Sequence, residues 1–183
     1  MERIASFTVD IVVCAVPEGL PLMISLVLMQ NTSKMLDHNV LVPGLYLSRR
    51  DGNVVTFDLR FKKPNTGDLL TNAEMHSVEH VIATLLRNSP RKDAVVYFGP
   101  MGCQTGFYFL FDGAQLSESE AVALVQQVFA RGAAYDGEMP GKSAAECGNY
   151  RNLDVALARD CCRYYAEVIA DWNVEKLVYP TGK

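Results

Sequence analysis

The sequence predicts an α+β fold, an antiparallel sheet packed by helices in a single domain, and three observations carry that reading. From Val54 to Phe61 apolar and polar side chains alternate as in a half-buried strand. Thr71 with Glu74, and Ser117 with Glu120, each make a capping-box signature ahead of a run of helix formers. Strands and helices then follow one another irregularly, which favours a layered α+β arrangement over repeated strand-helix-strand units.

In the first of these segments Val55, Phe57, Leu59 and Phe61 share one face, and Val54, Thr56, Asp58 and Arg60 the other. Asp58 and Arg60 stand two apart on the polar face, so they either pair with each other or point into a site. The capping box at Thr71 opens a helix expected to run to Arg87 or Asn88. Ala94 to Phe98 and Thr105 to Phe111 are rich in aromatic and β-branched residues and read as two strands, joined by the turn Gly99-Pro100-Met101-Gly102-Cys103-Gln104. Cys103 therefore sits on or beside a tight turn. The helix opened by Ser117 is expected to stop near Arg131, with Gly132 as its terminator. A glycine-rich loop from Asp136 to Gly148 carries Cys147, and Asp154 to Trp172 reads as a final helix.

A chain of 183 residues, 49% hydrophobic and 21% charged, is long enough to bury one substantial core and too short to require two domains. The net charge is −4 and the basic residues are scattered, which argues against nucleic acid as a partner. Five cysteines in irregular spacing do not form a secreted disulfide framework, and a reducing, cytoplasmic setting fits them better. Ile11 to Met29 is almost wholly apolar and by length could span a bilayer, although Pro17, Glu18, Gly19 and Pro21 interrupt it.

The chemistry centres on His76-Ser77-Val78-Glu79-His80. A spacing of four puts both imidazoles on one helical face, able to share one cation, and Glu79 borders that face, where a carboxylate can move protons beside a metal. The plainer alternative is a surface helix with two solvated histidines. Two of the chain's three histidines fall at this spacing with Glu between them, which favours a divalent metal. A tetrahedral site then lacks a third protein ligand, which a thiolate could supply. Cys147 and Cys103 are equally available by spacing, while Cys161 and Cys162 sit in a helix where packing is the simpler role. An inverted His-x-x-Glu-His motif alone also permits a metallopeptidase.

The segments Phe57-Asp58-Leu59-Arg60, His76 to His80, Gly99 to Phe107 and Cys147-Gly148-Asn149-Tyr150 resemble, in this order, the motifs of the LuxS family of S-ribosylhomocysteine lyases. The resemblance implies a LuxS/metallohydrolase-like fold and a homodimer with Fe²⁺, or Zn²⁺ as its substitute, held by His76, His80 and Cys147. It implies that Cys103 and Glu79 are the acid/base pair and that Ser6, His38 and Arg60 hold or polarise substrate. The implied reaction converts S-ribosylhomocysteine to homocysteine and 4,5-dihydroxy-2,3-pentanedione, a quorum-sensing autoinducer precursor, by metal-assisted isomerisation and β-elimination.

In that family the opening Ser-Phe-x-x-Asp joins directly to a histidine, whereas Asp10 and His38 here are separated by residues 11–37. The domain is thus expected to be LuxS-like over 1–183, interrupted by an apolar insertion. Val12 to Pro21, with its Pro-Glu-Gly-Leu-Pro core, itself resembles a transmembrane segment of calcium-type P-type ATPases. A membrane partner through 11–29 and a catalytically silent metal-binding homologue disrupted by the insertion both follow from this departure.

Overall fold

The alternating segment and the aromatic hairpin meet in one four-stranded sheet. The computed structural model describes residues 41–180, and both the 11–37 segment and its 11–29 apolar run lie outside them. Strands β1 (Gly44–Asp51), β2 (Val54–Arg60), β3 (Val95–Pro100) and β4 (Gly106–Asp112) are ordered β1-β2-β4-β3, every neighbouring pair antiparallel. Helices α1 (Asn72–Arg87), α2 (Glu118–Ala133) and α3 (Val155–Val168) complete the fold. The α+β expectation with an antiparallel sheet holds. Strand β1 lacked a clear periodic signal, yet the Asp51-Gly52 dipeptide announces it. Asp51 pairs with Val54 across a tight turn, and Gly52 supplies the positive φ of 60° that such a turn needs.

Both capping boxes form. The Thr71 and Ser117 hydroxyls accept the amides of Glu74 and Glu120, and each glutamate reaches back to its cap's amide, satisfying donors that a helix start otherwise leaves unpaired. Gly132 does not stop α2. The helix runs through it to Ala133, and the missing side chain serves packing instead, since a Cβ there would lie 2.7 Å from Cys162 Sγ on α3. Helix α3 ends at Val168, short of the expected Trp172: the Ala170 and Trp172 amides donate three residues back, to the carbonyls of Glu167 and Ile169, and the Gln126 side-chain amide on α2 caps the carbonyls of Ile169, Ala170 and Trp172.

The inward face of β2 is as the alternation predicts: Val55, Phe57, Leu59 and Phe61 are buried in one apolar cluster with residues of all three helices. Phe61 stacks on Tyr165 of α3 with centroids 4.1 Å apart. Each such ring withdrawn from water contributes roughly 1.5–3 kcal/mol. The opposite face departs from expectation. Asp58 and Arg60 are each only 2% exposed, because the segment after α3 folds over them. Tyr179 donates its hydroxyl to Asp58 Oδ2 at 3.0 Å and stacks on Tyr46, against whose edge Trp172 also packs. Burial pushes the Tyr46 hydroxyl to about 12, so it stays protonated and donates to the Val42 carbonyl. No helix among the described residues is long and apolar enough to cross a membrane.

Candidate active site

Helix α1 presents His76 and His80 one turn apart, their rings 4.7 Å between centroids and nearly perpendicular. The loop after α2 brings Cys147 to them: its Sγ lies 3.2 Å from His76 Nε2, and one ligand atom from each of His76, His80 and Cys147 falls within 4.8 Å of the others. Around a tetrahedral ion, nitrogen and sulfur donors stand roughly 3.3–3.6 Å apart, so small adjustments would let all three share a cation. Two imidazoles and one thiolate suit a borderline-soft divalent metal and leave a fourth position open. Cys103, equally available by spacing, is absent from this cluster.

The outer nitrogens of both rings are already engaged. His76 Nδ1 lies 2.6 Å from Asn152 Oδ1, and His80 Nδ1 lies 3.0 Å from the Pro140 carbonyl. A carbonyl oxygen only accepts, so each Nδ1 carries its proton and each Nε2 is left with a lone pair for a ligand. Gly141 makes the second contact feasible. Its φ is +70°, and a Cβ on it would lie 2.5 Å from His80 Nδ1. The Asn149 amide donates to Cys147 Sγ at 3.4 Å, and the buried Ser77 hydroxyl, between the two histidines in sequence, accepts the Asp154 amide at the start of α3.

Glu79 is half-buried on the same turn of α1. Burial pushes its carboxyl above the ordinary value, while His76 and His80 pull it back. Burial also raises the Tyr97 hydroxyl on β3, and the negative charge of Glu79 raises it further. The Tyr97 hydroxyl therefore feels Glu79 across the α1–β3 contact.

A second cluster surrounds Cys103, exposed on the β3–β4 turn. Its Sγ lies 3.0 Å from Thr105 Oγ1, which accepts a 2.5 Å hydrogen bond from the Arg60 guanidinium, which in turn donates to Asp58 Oδ2 at 2.6 Å. The two readings left open for Asp58 and Arg60 thus both apply: they pair, and Arg60 reaches on toward the turn of Cys103. Burial works against the Arg60 cation, and Asp58, by charge and hydrogen bond, keeps it charged. Burial likewise pushes the Asp58 carboxyl up, opposed by Arg60 and Tyr179. The turn is docked on α1: the Gln104 carbonyl accepts the Leu70 amide, and the Gln104 side chain donates to Asn72, one helical turn before His76.

The structure thus brings His76, His80 and Cys147 into one cluster and Cys103 and Arg60 into a second, anchored to the same helix that carries Glu79. Ser6 and His38 lie outside the described residues. Sequence reasoning missed Thr105, Asn152, Tyr179 and the Pro140-Gly141 turn. Only the last had a local signal, a Pro-Gly dipeptide in a loop; the others act through contacts with residues remote in sequence.

With this geometry stand the comparisons with known proteins. The S-ribosylhomocysteinase (LuxS) family model matches residues 32–176. S-ribosylhomocysteine lyase of Finegoldia magna is 44% identical over 149 residues, covering 79% of this chain and 94% of the relative. The enzyme of that name from Desulfotalea psychrophila is 44% identical over 152 residues, covering 80% and 95%. Its namesake from Borreliella burgdorferi is 40% identical over 154 residues, covering 81% and 98%. The match runs through both clusters and over most of the chain, and the chain belongs to the S-ribosylhomocysteinase (LuxS) family.

Proposed function

We propose that this chain is an S-ribosylhomocysteine lyase that releases homocysteine and forms 4,5-dihydroxy-2,3-pentanedione, and that His76, His80 and Cys147 hold its metal. The convergence of those three side chains, in a chain of this family, is the observation that carries the reading. The metal is Fe²⁺, with Zn²⁺ as a substitute. The enzyme works as a cytoplasmic homodimer and supplies a quorum-sensing precursor, the roles its family resemblance implies.

The substrate's chemistry explains the side chains. The thioether at C5 of the ribose leaves only when the proton at C4 is acidic, which requires the carbonyl to move from C1 to C3. Two isomerisations therefore precede elimination, and each moves a proton between adjacent carbons. His76, His80 and Cys147 would hold a divalent ion, which when bound would supply Lewis acidity to the negative charge on substrate oxygen. Cys103 and Glu79 carry the protons. Glu79, lifted by burial, can hold a proton nearer neutral pH than a solvated carboxyl does. Thr105 and Arg60 orient the Cys103 sulfur, and Arg60 offers positive charge beside it. Ser6 and His38 hold the substrate.

We read residues 11–37 as an insertion in a single LuxS-like domain, similar in sequence to a transmembrane segment of calcium-type P-type ATPases. The family match covers residues 32–176, leaving out 1–10 and most of 11–37. The deciding experiment measures thiol release from S-ribosylhomocysteine by the intact chain, by a version lacking 11–37, and by Cys103→Ala. Release by the intact chain that is lost in Cys103→Ala supports the assignment. Release only after deletion supports an insertion that displaces the amino-terminal substrate segment. No release from either parent form refutes the lyase reading, and recovery of the intact chain in washed membranes would indicate an anchor.

A further inference from the structure

We infer that Asn152 is a positioning residue that sets the tautomer and aim of His76, and so how tightly the cluster grips its ion. This rests on the reading of His76, His80 and Cys147 as metal ligands. Asn152 belongs to a short 3₁₀ turn, Tyr150–Asn152, that begins three residues after Cys147. Its Oδ1 lies 2.6 Å from His76 Nδ1, while His76 Nε2 lies 3.2 Å from Cys147 Sγ. One stretch of chain therefore supplies a sulfur ligand to the inner edge of the ring and an acceptor to its outer edge.

The acceptor matters because a neutral imidazole has one N–H and one lone pair. Without a fixed partner at Nδ1 the ring could place its proton on either nitrogen and could rotate, and each alternative removes the Nε2 lone pair from the cluster. With Asn152 in place, the binding-competent state is prepared before the ion arrives. His80 has the same arrangement from a backbone group, the Pro140 carbonyl at 3.0 Å. The two rings are thus served by different devices, and only that of His76 can be changed by altering a side chain. The turn is also fixed independently of any ion: the Asn152 and Leu153 amides donate to the carbonyls of Asn149 and Tyr150, and the Asp154 amide donates to Ser77 on α1.

The test titrates the full-length apo-protein with Co²⁺ against a competing chelator, reading the thiolate-to-metal absorption and the visible ligand-field bands. The proteins compared are the parent, Asn152→Leu, which keeps the volume and removes the acceptor, Asn152→Asp, which keeps the acceptor and adds charge, and His76→Ala. Removing a partner of this kind is expected to weaken binding about 10- to 100-fold. The expected result is such a loss in Asn152→Leu with an unchanged apo melting temperature and altered ligand-field bands, and an affinity in Asn152→Asp equal to or tighter than the parent's. Should Asn152→Leu melt early, Asn152→Ala is read by the same criteria.

Binding by Asn152→Leu within about threefold of the parent, or equal weakening in the Leu and Asp variants, overturns the inference. Those results leave the ligand assignment standing if His76→Ala has lost the ion. A parent that binds no Co²⁺, or a His76→Ala that binds as the parent does, defeats the ligand assignment and the inference with it.

Discussion

Gly141→Ala probes the close approach of the loop backbone to the His80 ring. Two costs can be worked from the structure. Position 141 has a φ of +70°, a left-handed conformation that costs a residue with a Cβ about 1–2 kcal/mol. The new methyl would also lie 2.5 Å from His80 Nδ1 and 2.7 Å from its Cε1, so ring and loop must separate by about 1 Å, and overpacking of that kind costs about 1–3 kcal/mol. If the backbone yields, the apo-protein loses stability by about 2–5 kcal/mol. If the ring yields, its Nε2 moves several times further than the ~0.2 Å tolerance of a metal bond, and the loss is transferred to the ion, about 10-fold or more in affinity. Urea unfolding of the apo-protein and chelator competition on the loaded protein read the two routes separately. An alanine variant within about 0.5 kcal/mol of the parent in the first assay and within about threefold in the second would refute the reasoning.

Three further outcomes are expected. Thr105→Val removes the hydroxyl between Arg60 and Cys103; it should lower stability by about 1–3 kcal/mol, measured by denaturant unfolding, and reduce thiol release with metal content unchanged. Gly132→Ala should gain up to about 1 kcal/mol of helix propensity but lose more to the Cys162 contact, and Gly132→Ala/Cys162→Ala should melt above Gly132→Ala alone. Burial pushes the Cys161 thiol to about 12 and that of Cys162 higher still, so at pH 8 roughly one Cys161 in ten thousand is thiolate. Mass spectrometry after brief iodoacetamide treatment of the folded protein should find exposed Cys103 labelled and Cys161 and Cys162 unmodified.

The parts of this fold legible in the sequence are those set by local rules. The faces of β2 follow from alternation, and the starts of α1 and α2 from reciprocal caps that need no distant partner. The paired histidines of the site were legible for the same reason, since four-residue spacing on a helix fixes their common face. Where distant contacts decide, the sequence misleads. Gly132 carries a terminator's signature and serves as a packing gap for Cys162. The end of α3 is capped by Gln126, 43 residues before Ile169. Alternation puts Asp58 and Arg60 on the polar face of β2, and the burial of that pair is supplied from afar by Tyr179, 121 residues beyond Asp58. Spacing left Cys103 and Cys147 equal as third ligand; the family resemblance favoured Cys147, and the folded loop places it against His76.

The tyrosine that covers Asp58 has one more consequence. A charge acts over distance in inverse proportion to the polarisability of what surrounds it, and beside Arg60 those surroundings include Tyr179, from the last stretch of the described chain, which bonds Asp58 and stacks on Tyr46. This terminal stretch is therefore insulation for the guanidinium that faces the sulfur on the opposite turn. Loosening it would admit water and dim the field there.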